Sequence, residues 1–278
     1  MRMRLARHRR IVPNALALVA AAIVVFPVYW MFNTAFKDPG RVSSLVPEFL
    51  PLPVSVENFA GAMDNPNFWG YARNSLVASL TTVVLAMLVS LAASIAIVRH
   101  RFAGRRMFVI VLVLVQMIPG AAMVIPLYLM LREIGALDFV PGLILTYLSF
   151  VLPFTIWTLR GFVEGIPVEL EEAAAIDGCT RLRAFWHVQL PLLAPGIVAT
   201  SIFAFINAWD DYLFAYVLLR SPENQTLPVW LVSFQTAEGV DYGSTVAASV
   251  IFSLPVLVFS LFVQRRLVTG MTAGAVKG

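Results

Sequence analysis

The chain reads as long apolar runs separated by short polar connections. Windows of about 20 residues, the length of helix that crosses a hydrocarbon core, find such runs near Pro13 to Phe36, Asn74 to Val98, Met107 to Leu131, Pro141 to Phe162, Gly196 to Leu219 and Ser244 to Val263. The pattern predicts an all-α, polytopic membrane protein with about six transmembrane helices. An even number of spans places both termini on one side. The connections from Lys37 to Arg73 and from Ser221 to Gly243 are too short for a soluble domain, so residues 1–278 are expected to form a single membrane domain. No repeat is visible that would mark an inverted-repeat transporter.

Composition agrees with lipid as the solvent, since 59% of residues are hydrophobic and 13% charged, against roughly a quarter charged in soluble domains. The net charge of +4 and pI near 9.5 do not come from a basic stripe interleaved with aromatics, so nucleic acid is not an expected partner. The basic residues mark topology instead. Arg2, Arg4, Arg7, Arg9, Arg10, Arg99, Arg101, Arg105, Arg106, Arg160, Arg181, Arg183, Arg265, Arg266 and Lys277 fall on one side, against Lys37, Arg41, Arg73, Arg132 and Arg220 on the other. The positive-inside rule makes the first side cytoplasmic, with both termini. The arginine-rich start precedes a run that reaches Phe36 without a small-residue cleavage site, which reads as an uncleaved first helix rather than a signal peptide. A single cysteine, Cys179, excludes an internal disulfide and a cysteine-rich metal site.

The cytoplasmic connection at about 163–195 carries the most information. Pro167 suits a first helical position, and Glu169, Glu171 and Glu172 fall where negative charge meets the positive helix end. Ala173, Ala174 and Ala175 favour helix, and Gly178, following Asp177, supplies a left-handed stop. Thr180 caps a second helix with Leu182, Phe185 and Trp186 on one face, until Pro191 and Pro195 break the run. A structured helix pair is not needed to join two spans, so its cheapest explanation is a docking surface.

Glu172-Ala173-Ala174, three residues, Gly178, nine residues, Val188, one residue and Leu190-Pro191 resemble the EAA loop of permease subunits in binding-protein-dependent ATP-binding-cassette (ABC) importers. Gln116-Met117-Ile118-Pro119-Gly120, Ile125-Pro126-Leu127-Tyr128, Leu152-Pro153-Phe154 and the ending Gly270 to Gly278 look like the carbohydrate branch, specifically the maltose-type second permease. Departures are mild: Val188 stands where isoleucine is usual, Cys179 where alanine is common and Met271 where leucine is usual.

The resemblance implies a heteromeric machine with a second homologous permease chain, two ATP-binding subunits and an extracytoplasmic sugar-binding protein. ATP and Mg would bind on the ATPase subunits and no cofactor on this chain. Glu169, Glu172, Ala173, Ala174, Asp177, Gly178, Leu190 and Pro191 would couple to one ATPase subunit, and the tail at about 264–278, through Gly270, Thr272, Gly274 and Lys277, would reach between the two. ATP binding would close the ATPases and swing the permeases from inward-open to outward-open while the binding protein releases sugar. An oligosaccharide is the preferred cargo, with glycerol phosphate or a polyol as alternatives.

Other chemistry is sparse. The chain lacks GxxxxGK[ST], so it has no phosphate-cradling loop and is expected to be no enzyme. His8, His100 and His187 lie far apart beside arginines, which suits neither a metal nor a hydrolytic site. Polar residues within the spans are candidates for the pathway: Gln116, and the cluster Asn207, Trp209, Asp210, Asp211 and Tyr212. Carboxylates mixed with aromatics can hold sugar hydroxyls and ring faces, or Asn207, Asp210 and Asp211 can simply hydrogen-bond between helices. In the maltose-type system the sugar is held mainly by the other permease, so this chain would line the path. Pro119, Gly120 and Pro126 are either hinges or kinks, and Trp30, Tyr71, Trp157 and Trp230 read as interfacial anchors. The rival reading is a gradient-driven secondary transporter or channel using Asp210 or Asp211. It leaves the helix pair and the tail unexplained.

Overall fold

Each apolar run becomes helical because a helix satisfies its backbone N–H and C=O groups within one segment, which lipid demands. A computed structural model of the chain describes residues 2–236 and 239–274, with side chains over 13–235 and 239–261. In chain order the helices are α1 (Arg2–Ala35), α2 (Glu57–Met63), α3 (Phe68–Arg99), α4 (Arg105–Val115), α5 (Val124–Glu133), α6 (Val140–Glu164) and α7 (Val168–Ile176). They continue with α8 (Arg181–Ala184), α9 (Leu190–Trp209), α10 (Leu213–Leu218), α11 (Leu227–Val232) and α12 (Tyr242–Gly274). The strands β1 (Gln235–Thr236) and β2 (Gly239–Val240) form a two-residue antiparallel ladder. Among the described residues five helices are long and apolar enough to cross a membrane, or six if a bent pair counts as one span. The fold is an all-α polytopic membrane protein.

The chain divides into two compact units, one built from residues up to Pro66 with Leu231–Leu254, the other from Asn67–Trp230 with the chain from Pro255 on. In the first, the apolar window of α1 is not buried by the chain at all. The α1 end is fixed by Asn58, whose Nδ2 donates to the carbonyls of Ala35 at 3.1 Å and Lys37 at 2.7 Å. Lys37 is itself buried, with its ammonium 4.8 Å from the centre of the Trp30 ring.

The second unit is built on α3, α6 and α9. Along α3 the buried positions Ser75, Ala78, Ser79, Thr82, Ala86, Ser90 and Ser94 are all small and recur at three- and four-residue spacing. Small residues let backbones approach closely, which is how helices associate where lipid removes the hydrophobic drive. The Ser90 and Thr155 hydroxyls meet at 2.6 Å, and the Gly196 backbone lies so close to Phe162 that a β-carbon there would stand 2.5 Å from its ring.

Two predicted spans are broken. The expected helix from Met107 to Leu131 stops at Val115, and its two halves diverge by 100°. Pro119 has no N–H to continue a helix and holds an extended backbone, with ψ 127°; Gln116-Met117-Ile118 turn before it. The expected span from Gly196 to Leu219 ends at Trp209, and α10 restarts at Leu213. Conversely, Pro191 and Pro195 do not break the run before it, because the helix continues from Arg181 to Trp209. A π-turn over Phe185–Gln189 widens the backbone just ahead of Pro191 and relieves the clash its ring would make one turn back. Tyr71 and Trp230 are not at a surface: both are buried in the protein, Trp230 against Phe68. Trp157 is exposed and lies beside Arg160.

Asp138, in the left-handed region at φ 59°, joins the α5–α6 connection to the segment after α10. Its carboxylate accepts from the backbone N–H of Arg220 at 2.8 Å and of Ser221 at 3.0 Å, and from the Ser221 hydroxyl. Arg220 reaches on to the Tyr128 hydroxyl at 2.9 Å. Burial pushes the Asp138 carboxyl up, but the bonds from Ser221 and Arg220 outweigh it and leave it below the ordinary value. A depressed folded pKa contributes stability that is fully present above about pH 4 and is lost as the pH falls through the folded value. Asp138→Asn keeps the shape and tolerates the left-handed backbone. It is expected to lower the thermal midpoint in detergent at pH 7 by roughly 2–4 °C, with the gap narrowing below pH 4; a gap that ignores pH would assign the effect to shape rather than charge.

Candidate functional site

The α6–α9 connection folds as its residues dictate. Glu169 and Glu171 occupy the first turn of α7, where the macrodipole favours them. Pro167 is the N-cap residue rather than the first helical one; its extended ψ of 134° turns the chain away from the end of α6. At the other end Gly178 takes φ 82°. The Cys179 N–H reaches the Ala174 carbonyl at 2.9 Å and the Gly178 N–H the Ala175 carbonyl at 3.1 Å, the paired bonds of a Schellman stop. Thr180 caps α8 by accepting from the Arg183 N–H at 3.4 Å.

This helix pair is rooted at its base and bare at its tip. Ile166 is buried with Val163 and Leu193, packed against Leu91, Ile95, Val98 and Ile197, so the base sits among the ends of α3, α6 and α9. Arg99, the last residue of α3, donates from Nε to Glu171 at 2.6 Å and from a terminal nitrogen to the Ile166 carbonyl at 2.8 Å. The Arg99 and Glu171 side chains are 13% and 22% exposed, in the range where a charge-assisted bond retains much of its strength. Sequence reasoning counted Arg99 only as a topology marker and missed the tether. Glu169, Glu172, Ala173, Asp177 and Gly178 are exposed, Ala174 is buried, Leu190 is half-buried and Pro191 is exposed. Ile176 is 87% exposed, and Val168, Leu170, Leu182 and Trp186 stand open beside it. Gly270, Thr272 and Gly274 fall in the last turns of α12 by backbone; the Thr272 side chain and all of Lys277 lie outside the described residues.

The pathway candidates are not one cluster. Gln116 is exposed at the end of α4 and donates to the Leu112 carbonyl at 3.0 Å. Trp209 is 1% exposed and stacks on Phe205, which also stacks on Phe259. Asp211 accepts from the Tyr147 hydroxyl of α6 at 3.1 Å and from the N–H groups of Phe214 and Ala215 at 3.4 and 3.0 Å. Those bonds cap α10 and tie it to α6. Asn207 and Asp210 are exposed, with Asn207 donating to its own helix at Phe203, 2.9 Å away. Tyr212 is half-buried and stacks on the exposed Tyr216, ring centres 5.3 Å apart. Tyr147 and Tyr216 belong beside the predicted residues, and nothing in the sequence pattern singled them out.

Comparison with known proteins places this architecture. The family model described as the binding-protein-dependent transport system inner membrane component matches residues 83–272. The chain is similar to the diacetylchitobiose uptake system permease protein of Streptomyces coelicolor, 47% identical over 97% of this chain and 98% of that one. It is also similar to the trehalose transport system permease protein of Mycobacterium tuberculosis, 37% identical over 91% and 93%. Among solved structures, a bacterial ABC transporter involved in the import of alginate superposes with TM-score 0.79 at 24% identity, covering 94% of this chain and 97% of that chain.

If the Arg99 tether holds α7 in place, Arg99→Gln leaves Glu171 and the Ile166 carbonyl without their cation. A hydrogen bond to a charged group contributes about 1.5–3 kcal/mol. Amide hydrogen exchange over 168–178 is expected to quicken roughly tenfold or more, the factor that 1.4 kcal/mol implies. The charge swap Arg99→Glu with Glu171→Arg is expected to recover part of the protection. Unchanged exchange in Arg99→Gln would show that apolar packing at Ile166 suffices.

Proposed function

The chain belongs to the binding-protein-dependent transport system inner membrane component family, and on that premise we propose that it forms half of the translocation pathway of an ABC sugar importer. It pairs with a second homologous permease chain. Two ATP-binding subunits, which hold ATP and Mg, drive it, and an extracytoplasmic solute-binding protein delivers the cargo. Residues 1–278 act as one membrane domain with both termini cytoplasmic, a placement that the arginine distribution supports. The cargo is an oligosaccharide, supported by relatives named for diacetylchitobiose and for trehalose.

The observation that carries this reading is α7: a short helix capped at its C-terminal end by the Gly178 stop, tethered through Arg99, and presenting Glu169, Glu172, Asp177 and Gly178 with a fringe of uncovered apolar side chains. Apolar groups exposed together beside charges mark a protein contact. In the cycle, α7 sits in a cleft of one ATPase subunit, and closure of the ATPases moves it with the helices in which it is rooted. The tail bearing Gly270, Thr272, Gly274 and Lys277 extends between the ATPases. Asp211 and Trp209 hold the α9–α10 break in shape, and Asn207, Asp210 and Tyr216 are the groups left to line a path.

Gly178 gives a clean test, because a β-carbon there meets no atom of the chain within 4 Å, so a new side chain projects from the docking face. Asn adopts the left-handed backbone at the least cost among larger residues. Gly178→Asn, and more strongly Gly178→Asp, are expected to reduce copurification of the ATPase from nanodiscs at least tenfold while the permease pair stays intact. Full ATPase recovery with both variants, or sugar uptake into proteoliposomes without ATPase or ATP, would overturn the reading.

A further inference from the structure

Between the end of α3 and the start of α4, an open cavity of about 1000 Å³ is lined by Arg101, Arg105, Arg106 and Arg160 together with Phe102, Gly104, Met107, Val109 and Ile110. Of these arginines only Arg160 has a carboxylate partner, Glu164, at 2.7 Å. Among the described residues Arg101, Arg105 and Arg106 make no ion pair or side-chain hydrogen bond. The charge is also placed against the local field. Arg105 and Arg106 occupy the first turn of α4, which has no acidic residue and no side-chain cap, so two cations stand at the positive end of a helix dipole. Positive-inside sorting accounts for arginines on this side of the membrane; it does not account for their convergence on one cavity without counter-charge.

We propose that this cavity binds the phosphate headgroup of an anionic phospholipid from the inner leaflet. The proposal uses the orientation given above and is independent of what the transporter carries. The three unpaired arginines supply donors to the phosphate, and the positive end of the α4 dipole favours its charge. Met107 and Ile110 on the wall, and Val111 and Leu114 above them, are 40–61% exposed and continue as an apolar strip along which acyl chains lie. That strip selects a lipid over an acidic protein loop, which would need the charges alone. The volume suits a headgroup with the first carbons of its chains.

The test uses the full chain with its partner permease, purified and delipidated, and reads binding by native mass spectrometry and by thermal shift. Dioleoyl phosphatidylglycerol is titrated beside dioleoyl phosphatidylcholine, with inorganic phosphate as a third arm. At about fivefold per arginine near a membrane surface, the triple variant Arg101→Gln, Arg105→Gln, Arg106→Gln is expected to weaken phosphatidylglycerol binding on the order of 100-fold. The triple lysine variant keeps most of the affinity and checks folding. The unsubstituted protein is expected to prefer phosphatidylglycerol and to ignore millimolar inorganic phosphate. Equal binding of the two lipids, an unaffected glutamine variant, or saturation by phosphate alone would overturn the proposal. So would a glutamine variant that binds lipid normally but loses a partner subunit, which would assign the arginines to a protein contact.

Discussion

How closely α3, α6 and α9 can approach governs the larger unit, because nothing apolar drives helices together when the surroundings are equally apolar. What remains is dispersion and the occasional interhelical hydrogen bond, and both grow steeply as backbones close. Between Ser75 and Ser94 the α3 sequence meets this demand with serine, threonine and alanine at every buried position but Met87, and α9 meets it with Gly196 beneath Phe162. Thr155 answers Ser90 from the α6 side while also bonding its own helix at Val151, 3.0 Å away. A valine in place of Ser90 would forfeit both the approach and the bond.

That packing explains why a short helix outside it can matter mechanically. The base of α7 is attached to three helices at once: through Arg99 to α3, through Ile166 to α6, and through Leu193 and Ile197 to α9. On the α9 side the attachment is covalent, through the tight Gly178 turn and then a path that is helical from Arg181 to Trp209 once the π-turn has absorbed Pro191. In the proposed cycle a displacement of α7 is therefore delivered along α9 toward the Asp210–Tyr212 break. There the helix ends, and Asp211 holds the restart of α10 against Tyr147 of α6. The chain stiffens where force would enter and interrupts its helix where a path would need polar groups.

The sequence made the spans legible because lipid imposes a length and a composition that survive any detail of packing. It made α7 legible because its acids, alanines and Gly178 each have a local reason to stand where they do. Hydropathy carries no information about backbone direction, so the fifth run reads as one span although it is broken; in the third run Pro119, Gly120 and Pro126 mark a hinge or a kink without giving the 100° divergence of the two halves. The Arg99–Glu171 bond spans 72 residues of sequence, beyond any local pattern. For Asp211 the sequence leaves two readings open, a pathway ligand or a hydrogen bond between helices, and its bonds to Tyr147 of α6 and to the first turn of α10 match the second. Position along the chain points Tyr71 and Trp230 to the membrane interface, but both are buried inside the fold, where packing takes precedence over position.

The two broken spans carry a consequence beyond this chain. Irregular backbone at membrane depth is tolerated only where protein covers it or water reaches it, because acyl chains offer no hydrogen bond. Around the first break Gln116, Met117 and Ile118 are exposed, Met117 by 74%, and around the second Asn207 and Asp210 are. Neither site can face lipid as it stands. Cover at the breaks, by a homologous chain on one flank and an aqueous path on the other, is what a half-pathway supplies and what a self-sufficient channel would have to build from its own residues. Two breaks that need such cover support a paired permease more strongly than the number of spans does.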